Sequence, residues 1–160
     1  GPLVEVTART ATRVNDTEAE DCAVAIGRTA DGGLVTMNAT TGAASESSRL
    51  VWHFENVTIE SSTEAYDPAR GPWRFEFRNP EVGAAAEELW AGTVDGPALY
   101  TGQLQAFVDA LPGGDLPVTL DDARATLELV TALYSSARSG RSEALPLAND
   151  HPARGSWFPA

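Results

Sequence analysis

The hydrophobic pattern of this chain changes its period once, and this change restricts the folds open to the chain more than any other feature. Before Asn79-Pro80, apolar residues alternate with polar ones, and turn-forming residues separate the alternating runs. After it, apolar residues recur at every third or fourth position. The first spacing is that of a β-strand and the second that of an α-helix. Strands followed by helices predict an α+β fold, with a predominantly antiparallel, open β-sheet and helices on one face.

Six segments of the first half have the alternation of a strand. The tight turn at Asp31-Gly32-Gly33 predicts that the second and third segments pair as a hairpin. In the sixth, aromatic residues face one side and charged residues the other. Asn56, in the turn between the fourth and fifth, is expected to have a left-handed backbone conformation. The six segments are residues 3–12, 22–29, 34–41, 50–54, 57–59 and 73–78.

The second half predicts one long helix, over residues 119–139, and two shorter ones, over 84–90 and 100–111. Thr119 can accept hydrogen bonds from the amides of the first turn, and Gly140 can end the long helix in a left-handed conformation. The long helix is expected to lie in the core. Its predicted apolar face consists of Leu120, Ala123, Leu127, Val130, Tyr134 and Ala137, with Leu129 and Leu133 widening it.

The composition excludes several classes of partner. The basic residues number 11, all of them arginine, against 23 acidic residues, and the net charge is −12. Such a charge repels phosphate backbones and anionic lipid head groups, so we expect neither nucleic acid nor a membrane as a partner. No apolar run reaches the length of a membrane span and no secretion leader is visible, which predicts a cytoplasmic protein.

The sequence shows none of the motifs that bind a metal ion or a nucleotide. Cys22 is the one cysteine and lies in an apolar strand, so we expect it to be a buried apolar residue. No group of cysteine and histidine has the spacing of a metal site. No Gly-x-Gly-x-x-Gly sequence joins a strand to a helix. We therefore predict no catalytic, cofactor-binding or metal-binding residue in this chain.

Several short motifs, taken in order, resemble the C-terminal region of the Gfo/Idh/MocA family of NAD(P)-dependent oxidoreductases. The resemblance extends over most of the chain. Upstream, the motifs are Asn15-Asp16-Thr17 and the strand 20–25; downstream they are Leu116-Pro117-Val118, the helix segments 123–129 and 134–140, Leu145-Pro146-Leu147, and His151-Pro152 with Trp157.

The resemblance implies that residues 1–160 are one substrate-binding and oligomerisation domain that lacks its first segment and ends in a tail, 145–160. The family's catalytic lysine and its Asp-x-x-x-His segment do not occur here, since the chain has no lysine. An N-terminal domain would supply them together with NAD or NADP. The parent enzyme would act on a sugar, a polyol or a related hydroxy compound, and would form a homodimer or tetramer through the open sheet face.

Two loops are the candidate sites for a small-molecule substrate. In the segment 66–73, Tyr66, Arg70 and Trp73 combine an aromatic ring, a cation and rigid turn residues, which suits a sugar or a carboxylate. The alternative is a plain hairpin connection with Trp73 turned into the core. The segment 42–49 offers hydroxyl and carboxylate groups, and in the resembled family the corresponding crossover borders the substrate pocket. Its candidate residues are Ser45, Glu46 and Ser48.

The remaining polar candidates have structural interpretations. His53 is expected to be a solvated or hydrogen-bonded strand residue, and His151 to dock the tail. Glu20 and Asp21 are neighbours in sequence, so they face opposite sides of a strand and cannot share a proton. An alternative function also stays open, namely a free-standing, non-catalytic carbohydrate-binding or scaffold module that presents tryptophan and tyrosine side chains to a glycan.

Overall fold

The computed structural model describes residues 1–91 and 99–156. The chain divides into two compact units. The first consists of Gly1–Ala43 together with Val118–Ala160, and the second of Ala44–Pro117. The α+β class with antiparallel strands is confirmed. The strands form two sheets, one in each unit, where the sequence suggests one. The single domain over 1–160 stays a prediction. The elements are β1 Leu3–Ala11, β2 Cys22–Thr29, β3 Leu34–Thr40, β4 Val51–His53, β5 Val57–Glu60, β6 Arg74–Phe77, α1 Pro80–Ala91, α2 Leu99–Ala110, α3 Leu120–Ser139, β7 Glu143–Ala144 and a 3₁₀ turn, Pro152–Arg154.

The first unit contains a four-stranded antiparallel sheet with the order β3-β2-β1-β7. The predicted hairpin between β2 and β3 is confirmed. Thr29 closes it, donating its N–H to the carbonyl of Gly33 at 2.9 Å and accepting from the N–H of Gly32 at 3.0 Å. Gly32 has a φ of 88°, which a residue with a side chain rarely adopts, so glycine is needed at this turn.

The two faces of this sheet differ in burial. Val6 lies opposite Gly27 and Ala8 opposite Ala25, and all four are buried on the face that packs against α3. A Cβ on Gly27 would lie 2.8 Å from a methyl carbon of Leu3, so a side chain at this position would force Leu3 to shift. On the opposite face, the side chains of Val24 and Ile26 are exposed. Helix α3 therefore covers one face and leaves the other open, as the sequence predicts for a helix-covered sheet.

The predicted ends of α3 are confirmed. Thr119 caps the helix and forms a capping box with Asp122: its hydroxyl accepts from the N–H of Asp122, while the Asp122 carboxylate accepts from the N–H of Thr119. Gly140 ends the helix with a φ of 73°. The bonds from Thr119 lower the pKa of the Asp122 carboxyl. The capping threonine and the glycine after the last turn were therefore enough to predict both ends of this helix.

The predicted apolar face of α3 is wrong in its first half. Leu120, Ala123 and Leu127 are exposed, whereas Ala132 and Ser136 are fully buried. The core face consists of Leu129 and Leu133, which the sequence predicts as the edge of the stripe, together with positions 132 and 136 on the same side of the helix. Helix α3 contacts β1 and β7 through its second half, and small residues at 132 and 136 allow the sheet to approach closely.

Ser136 joins α3 to β1 inside this core. Its Oγ accepts the N–H of Ala8 at 2.9 Å and donates to the carbonyl of Arg141 at 2.6 Å. Strand β7 pairs with β1 only at Glu5 and Val6, so the N–H of Ala8 has no strand partner on that side. The serine hydroxyl completes the ladder where the neighbouring strand has ended.

We expect Ser136→Ala to lower the free energy of unfolding by about 1–3 kcal/mol, because it leaves the buried N–H of Ala8 without a partner. Urea unfolding followed by circular dichroism measures this difference. Thr126→Ala, on the exposed part of α3, is the control and should change stability by less than about 0.5 kcal/mol. Equal stabilities of Ser136→Ala and the unmodified chain would contradict this role.

The segment after α3 docks on that helix. The side chain of Leu147 is buried in the cluster that contains Val6 and Ala132. Glu128 accepts the N–H of Leu147 at 3.1 Å and forms an ion pair with Arg154. This contact agrees with the tail-docking interpretation of the sequence. Trp157, part of the tail motif, lies outside the described residues.

His151 takes part in the same docking. Its Nε2 lies 3.4 Å from the carboxylate of Glu143, and its Nδ1 accepts the N–H of Ala153 at 3.2 Å. Ser135 of α3 donates to the other oxygen of Glu143 at 2.6 Å. The prediction for His151 is therefore confirmed.

The second unit contains the three-stranded antiparallel sheet β4-β5-β6. Trp52, Ile59 and Phe75 lie opposite one another and share one face, while Glu60 and Arg74 pair on the other. The predicted division into an aromatic and a charged side is confirmed. Helix α1 packs on β6, and its buried Gly83 would bring a Cβ to 3.1 Å from the ring of Phe77. Helix α2 has no buried residue.

The predicted left-handed conformation of Asn56 is wrong. Among the described non-glycine residues, positive φ angles occur at Tyr66 and Leu99. The turn is instead held by two backbone hydrogen bonds of 2.9 Å, from the N–H of Phe54 to the carbonyl of Val57 and from the N–H of Arg78 to the carbonyl of Asn56. The second bond ties the turn to the end of β6.

Candidate functional site

The two predicted substrate loops lie against each other in the second unit. The hydroxyl of Tyr66 donates to Oε1 of Glu46 at 3.0 Å, and the N–H of Tyr66 donates to Oγ of Ser48 at 3.0 Å. The structure thus brings together three of the six candidate residues, although Tyr66 lies 18 positions from Ser48 and 20 from Glu46 in sequence. Ser45 is exposed and takes part in none of these contacts.

Tyr66 is held in an unusual conformation. Its φ is 65°, in the left-handed region that is costly for a residue with a bulky side chain. Tyr66 is 80% exposed, so burial of its side chain does not explain the conformation. The two hydrogen bonds to Glu46 and Ser48 are the contacts that fix it. The hydrogen bond to Glu46, assisted by the negative charge of that carboxylate, raises the pKa of the Tyr66 phenol.

We expect Glu46→Gln to bring the pKa of Tyr66 back towards the ordinary tyrosine value of about 10, because the negative acceptor is removed. The chain has three tyrosines. Nuclear magnetic resonance with ring-labelled tyrosine can follow each one separately as the pH rises. Tyr134, whose pKa is raised mainly by its hydrogen bond to Glu20, is the internal control and should not respond. An unchanged Tyr66 titration would contradict the contact.

Trp73 lies in an aromatic cluster. Its ring stacks on Trp52 with a centroid distance of 5.7 Å and meets Trp90 edge-on at 6.2 Å. Its indole N–H donates to the carbonyl of Ala69 at 3.1 Å. The ring of Trp73 therefore packs against other aromatic rings of the second unit, as the hairpin alternative predicts. Its indole N–H also holds the loop that contains Tyr66 and Arg70. The two interpretations of this residue are compatible.

Arg70 lies at one end of a turn within the predicted candidate segment 66–73. Its N–H donates to the carbonyl of Asp67 at 3.1 Å, which closes a turn over residues 67–70. The Arg70 side chain is exposed and is in no ion pair with a described residue. Asp67 has one buried carboxylate oxygen without a hydrogen-bond partner among the residues described. No pattern in the sequence indicates that this one oxygen is buried.

The charged face of the second sheet is an ion-pair network. Glu60 is largely buried and pairs with both Arg49 and Arg74, and Arg74 also pairs with Glu76. The hydrogen bond from Arg74 is the main cause that lowers the pKa of Glu60. On the same face, Nδ1 of His53 lies 3.2 Å from the hydroxyl of Thr58. His53 is therefore an exposed, hydrogen-bonded strand residue, as predicted.

The neighbouring acids Glu20 and Asp21 have separate structural roles, as predicted. Asp21 is buried and accepts three backbone N–H bonds of 2.6–2.8 Å, from Arg13, Val14 and Asn15. These bonds, the one from Asn15 first, lower the pKa of its carboxyl to about 2. Glu20 instead accepts from the hydroxyl of Tyr134 on α3. Both residues hold the loop that precedes β2.

Cys22 differs from its prediction. It is only half-buried and lies opposite Ala11 and Thr40 in the sheet. Its thiol donates a hydrogen bond to the carbonyl of Ala11, with an Sγ–O distance of 3.3 Å. It belongs to the open face because alternation places it on the same side as Val24 and Ile26. Across the described ranges, no group of three metal-binding side chains converges. Of the helices in those ranges, none combines the length and apolar character that a membrane crossing requires.

Comparison of the sequence with protein-family models and with curated proteins found no match to either. Comparison of the structure with solved structures found many. The WlbA dehydrogenase from Bordetella pertussis, solved with NADH and UDP-GlcNAcA, is 26% identical over 92% of this chain, with a TM-score of 0.70. The aldose-aldose oxidoreductase from Caulobacter crescentus, solved with glycerol, is 18% identical over 90% of this chain, with a TM-score of 0.67.

An NAD-binding oxidoreductase from Klebsiella pneumoniae is similar over 92% of this chain, with 15% identity and a TM-score of 0.67. The matched region is 42% of the length of the Bordetella and Caulobacter proteins and 46% of the Klebsiella protein, so the chain spans less than half of each. These neighbours are Gfo/Idh/MocA-type oxidoreductases. The prediction from the sequence motifs is confirmed: this chain has the fold of the C-terminal domain of the Gfo/Idh/MocA family of NAD-binding oxidoreductases.

Proposed function

We propose that this chain is the substrate-binding and oligomerisation domain of an NAD(P)-dependent oxidoreductase that acts on a sugar, a polyol or a related hydroxy compound. The observation that carries the proposal is the likeness to the WlbA dehydrogenase, a protein solved with NADH and a nucleotide sugar acid, over 92% of this chain. The aldose-aldose oxidoreductase, solved with glycerol, supports the same class of substrate.

In this proposal the work of the enzyme is divided between two domains. The nucleotide and the proton-transferring lysine belong to the other part of the parent protein, since this chain has no lysine and no Gly-x-Gly-x-x-Gly sequence. The contact between Tyr66, Glu46 and Ser48 supplies phenol, carboxylate and hydroxyl groups to a polyhydroxy substrate. We place the enzyme in the cytoplasm, where nicotinamide nucleotides are abundant.

The gene sequence upstream of the codon for Gly1 tests the proposal that a separate domain binds the nucleotide. We expect it to encode a strand, a Gly-x-Gly-x-x-Gly turn and a helix within about 120–150 residues, the size of a nucleotide-binding domain. We also expect a lysine and an Asp-x-x-x-His segment between that fingerprint and Gly1. A stop codon or a secretion leader directly upstream would contradict the proposal.

We also propose that two copies of the chain associate through the open face of the four-stranded sheet. Val24 and Ile26 are exposed there side by side on β2, at 54% and 58%. The first unit has no described helix on this face, and exposed apolar surface on a sheet is typical of an interface. Light scattering at micromolar concentration should give about twice the chain mass of 16.9 kDa. A stable mass near 16.9 kDa would overturn this proposal.

The alternative, a glycan-binding module, has less support in the geometry. Trp52, Trp73 and Trp90 pack against one another, and Trp90 also meets Phe75 edge-on at 5.0 Å. Rings that are engaged with each other offer fewer free faces for stacking on a sugar than an open aromatic platform does.

A further inference from the structure

The carboxylate of Asp67 has an oxygen, Oδ2, that is buried without a hydrogen-bond partner among the described residues. Buried polar atoms in folded proteins nearly always have a partner, because an unpaired one loses its bonds to water without compensation. A carboxylate oxygen can only accept hydrogen bonds. The missing partner of Asp67 is therefore a group that donates a hydrogen bond.

The loop around Asp67 is otherwise well bonded. The carbonyl of Asp67 accepts from the N–H of Arg70, that of Pro68 from the hydroxyl of Ser62 at 3.0 Å, and that of Ala69 from the indole of Trp73 at 3.1 Å. Three successive backbone acceptors are thus satisfied within the loop. Oδ2 of the Asp67 side chain has no donor among the described residues, which points to a donor from outside this loop.

The other end of the turn carries the complementary charge. Residues at the first and fourth positions of a turn are close together, within about 7 Å between Cα atoms, so Asp67 and Arg70 are placed to form an ion pair. The described structure contains no ion pair between them. The turn therefore presents the buried Oδ2 of Asp67 and the exposed guanidinium of Arg70, and the two groups do not form an ion pair with each other.

We propose that the turn 67–70 binds a hydroxycarboxylate, such as a sugar acid. A hydroxyl of the ligand donates to Oδ2 of Asp67, and its carboxylate accepts from the guanidinium of Arg70, which suits bidentate binding of a planar anion. This inference rests on the proposed function. It adds Asp67 to the candidate site and narrows the substrate from any polyol to one that carries an acid.

Binding at this place requires a movement of the loop. Oδ2 is closed to solvent, so binding requires the loop around Asp67 to move. Tyr66 is the residue in the left-handed conformation, and its release from that conformation relieves backbone strain. We therefore expect the signals of Tyr66 and of the Trp73 indole N–H, which is bonded inside the same loop, to change on binding.

The test is a titration of the 160-residue chain with D-glucuronate and with D-glucose, which differ in the acid group at carbon 6, followed by calorimetry and by amide and indole NMR signals. We expect glucuronate to bind at least about tenfold more tightly than glucose, the effect of one charge-assisted hydrogen bond. The shifted signals should include those of Tyr66 and the Trp73 indole.

Two variants and a control separate the roles of the residues. Asp67→Asn should weaken the binding of both sugars about tenfold, because the amide replaces one acceptor oxygen with a donor. Arg70→Gln, at an exposed position that does not endanger folding, should abolish the preference for the acid. Arg78→Gln, an exposed arginine of the same unit, should change nothing.

Equal affinity for glucuronate and glucose, no saturable binding of either, or an unchanged affinity in Asp67→Asn would overturn the inference; in the last case a bound water is the partner of Oδ2. These outcomes leave the oxidoreductase proposal standing, since the upstream gene sequence decides that separately. A missing nucleotide-binding fingerprint upstream, together with selective glucuronate binding, would contradict the oxidoreductase proposal and keep the sugar-acid site.

Discussion

Replacing Leu147 with alanine should destabilise the first unit by about 2–5 kcal/mol, the range for removing a fully buried leucine side chain. Leu147 is 4% exposed and packs with Val6 and Ala132, so the substitution leaves a cavity between the tail, the sheet and α3. Chemical unfolding monitored by circular dichroism gives the difference in free energy. Between residues 145 and 156, the described part of the tail, the one regular element is the 3₁₀ turn Pro152–Arg154, yet loss of the Leu147 side chain should weaken the whole unit.

The control for Leu147→Ala is Leu127→Ala. Both substitutions remove the same atoms, but Leu127 lies on the exposed part of α3, so we expect a change below about 0.5 kcal/mol. A small effect of Leu147→Ala, comparable to that of Leu127→Ala, would mean that the tail is not docked in solution.

Introducing a carboxylate on the open sheet face by Ile26→Glu should convert the proposed dimer to a monomer. In a two-fold dimer the same face meets itself, so each substitution enters the interface twice. An unpaired charge buried there costs about 3 kcal/mol or more, which corresponds to a loss of roughly a hundredfold or more in dimer affinity. Sedimentation velocity at micromolar concentration should show one species at half the mass of the unmodified protein.

Leu127→Glu provides the matched control for the dimer. Leu127 and Ile26 are equally exposed, each 58%, but Leu127 lies on the helix that the proposal leaves outside the interface. We expect this variant to keep the dimer mass. Dissociation by Leu127→Glu with no effect of Ile26→Glu would move the interface from the sheet to the helix.

The elements that the sequence predicts well are those with local causes. The ends of α3 depend on Thr119, Asp122 and Gly140, all of which act on backbone groups within one helical turn. The hairpin between β2 and β3 likewise depends on the turn at Gly32. Such features need no knowledge of the rest of the fold.

Features that depend on distant parts of the chain were predicted less well. The buried side of α3 is chosen by where β1 and β7 meet the helix, and an apolar stripe alone did not distinguish Leu127 from Leu129. The pairing of strands likewise separates β4, β5 and β6 from the first sheet, which alternation within each strand does not encode. Asn56 has no positive φ, and its carbonyl accepts from the N–H of Arg78, which follows β6 and lies far from it in sequence.

The candidate site divides in the same way. Residue chemistry drew attention to Tyr66, Glu46 and Ser48, and folding places them in contact. Asp67 was passed over because an aspartate before a proline is an ordinary turn residue in sequence. Only the packing of the loop leaves one of its oxygens buried without a partner.

Titration of NADH into the 160-residue chain and into the product of the complete gene, followed by nucleotide fluorescence, tests the central claim most directly. We predict saturable binding by the complete protein and none by the chain alone, because the phosphate-binding turn belongs to the other domain. Saturable NADH binding by these 160 residues, or its absence from the complete protein, would contradict the account.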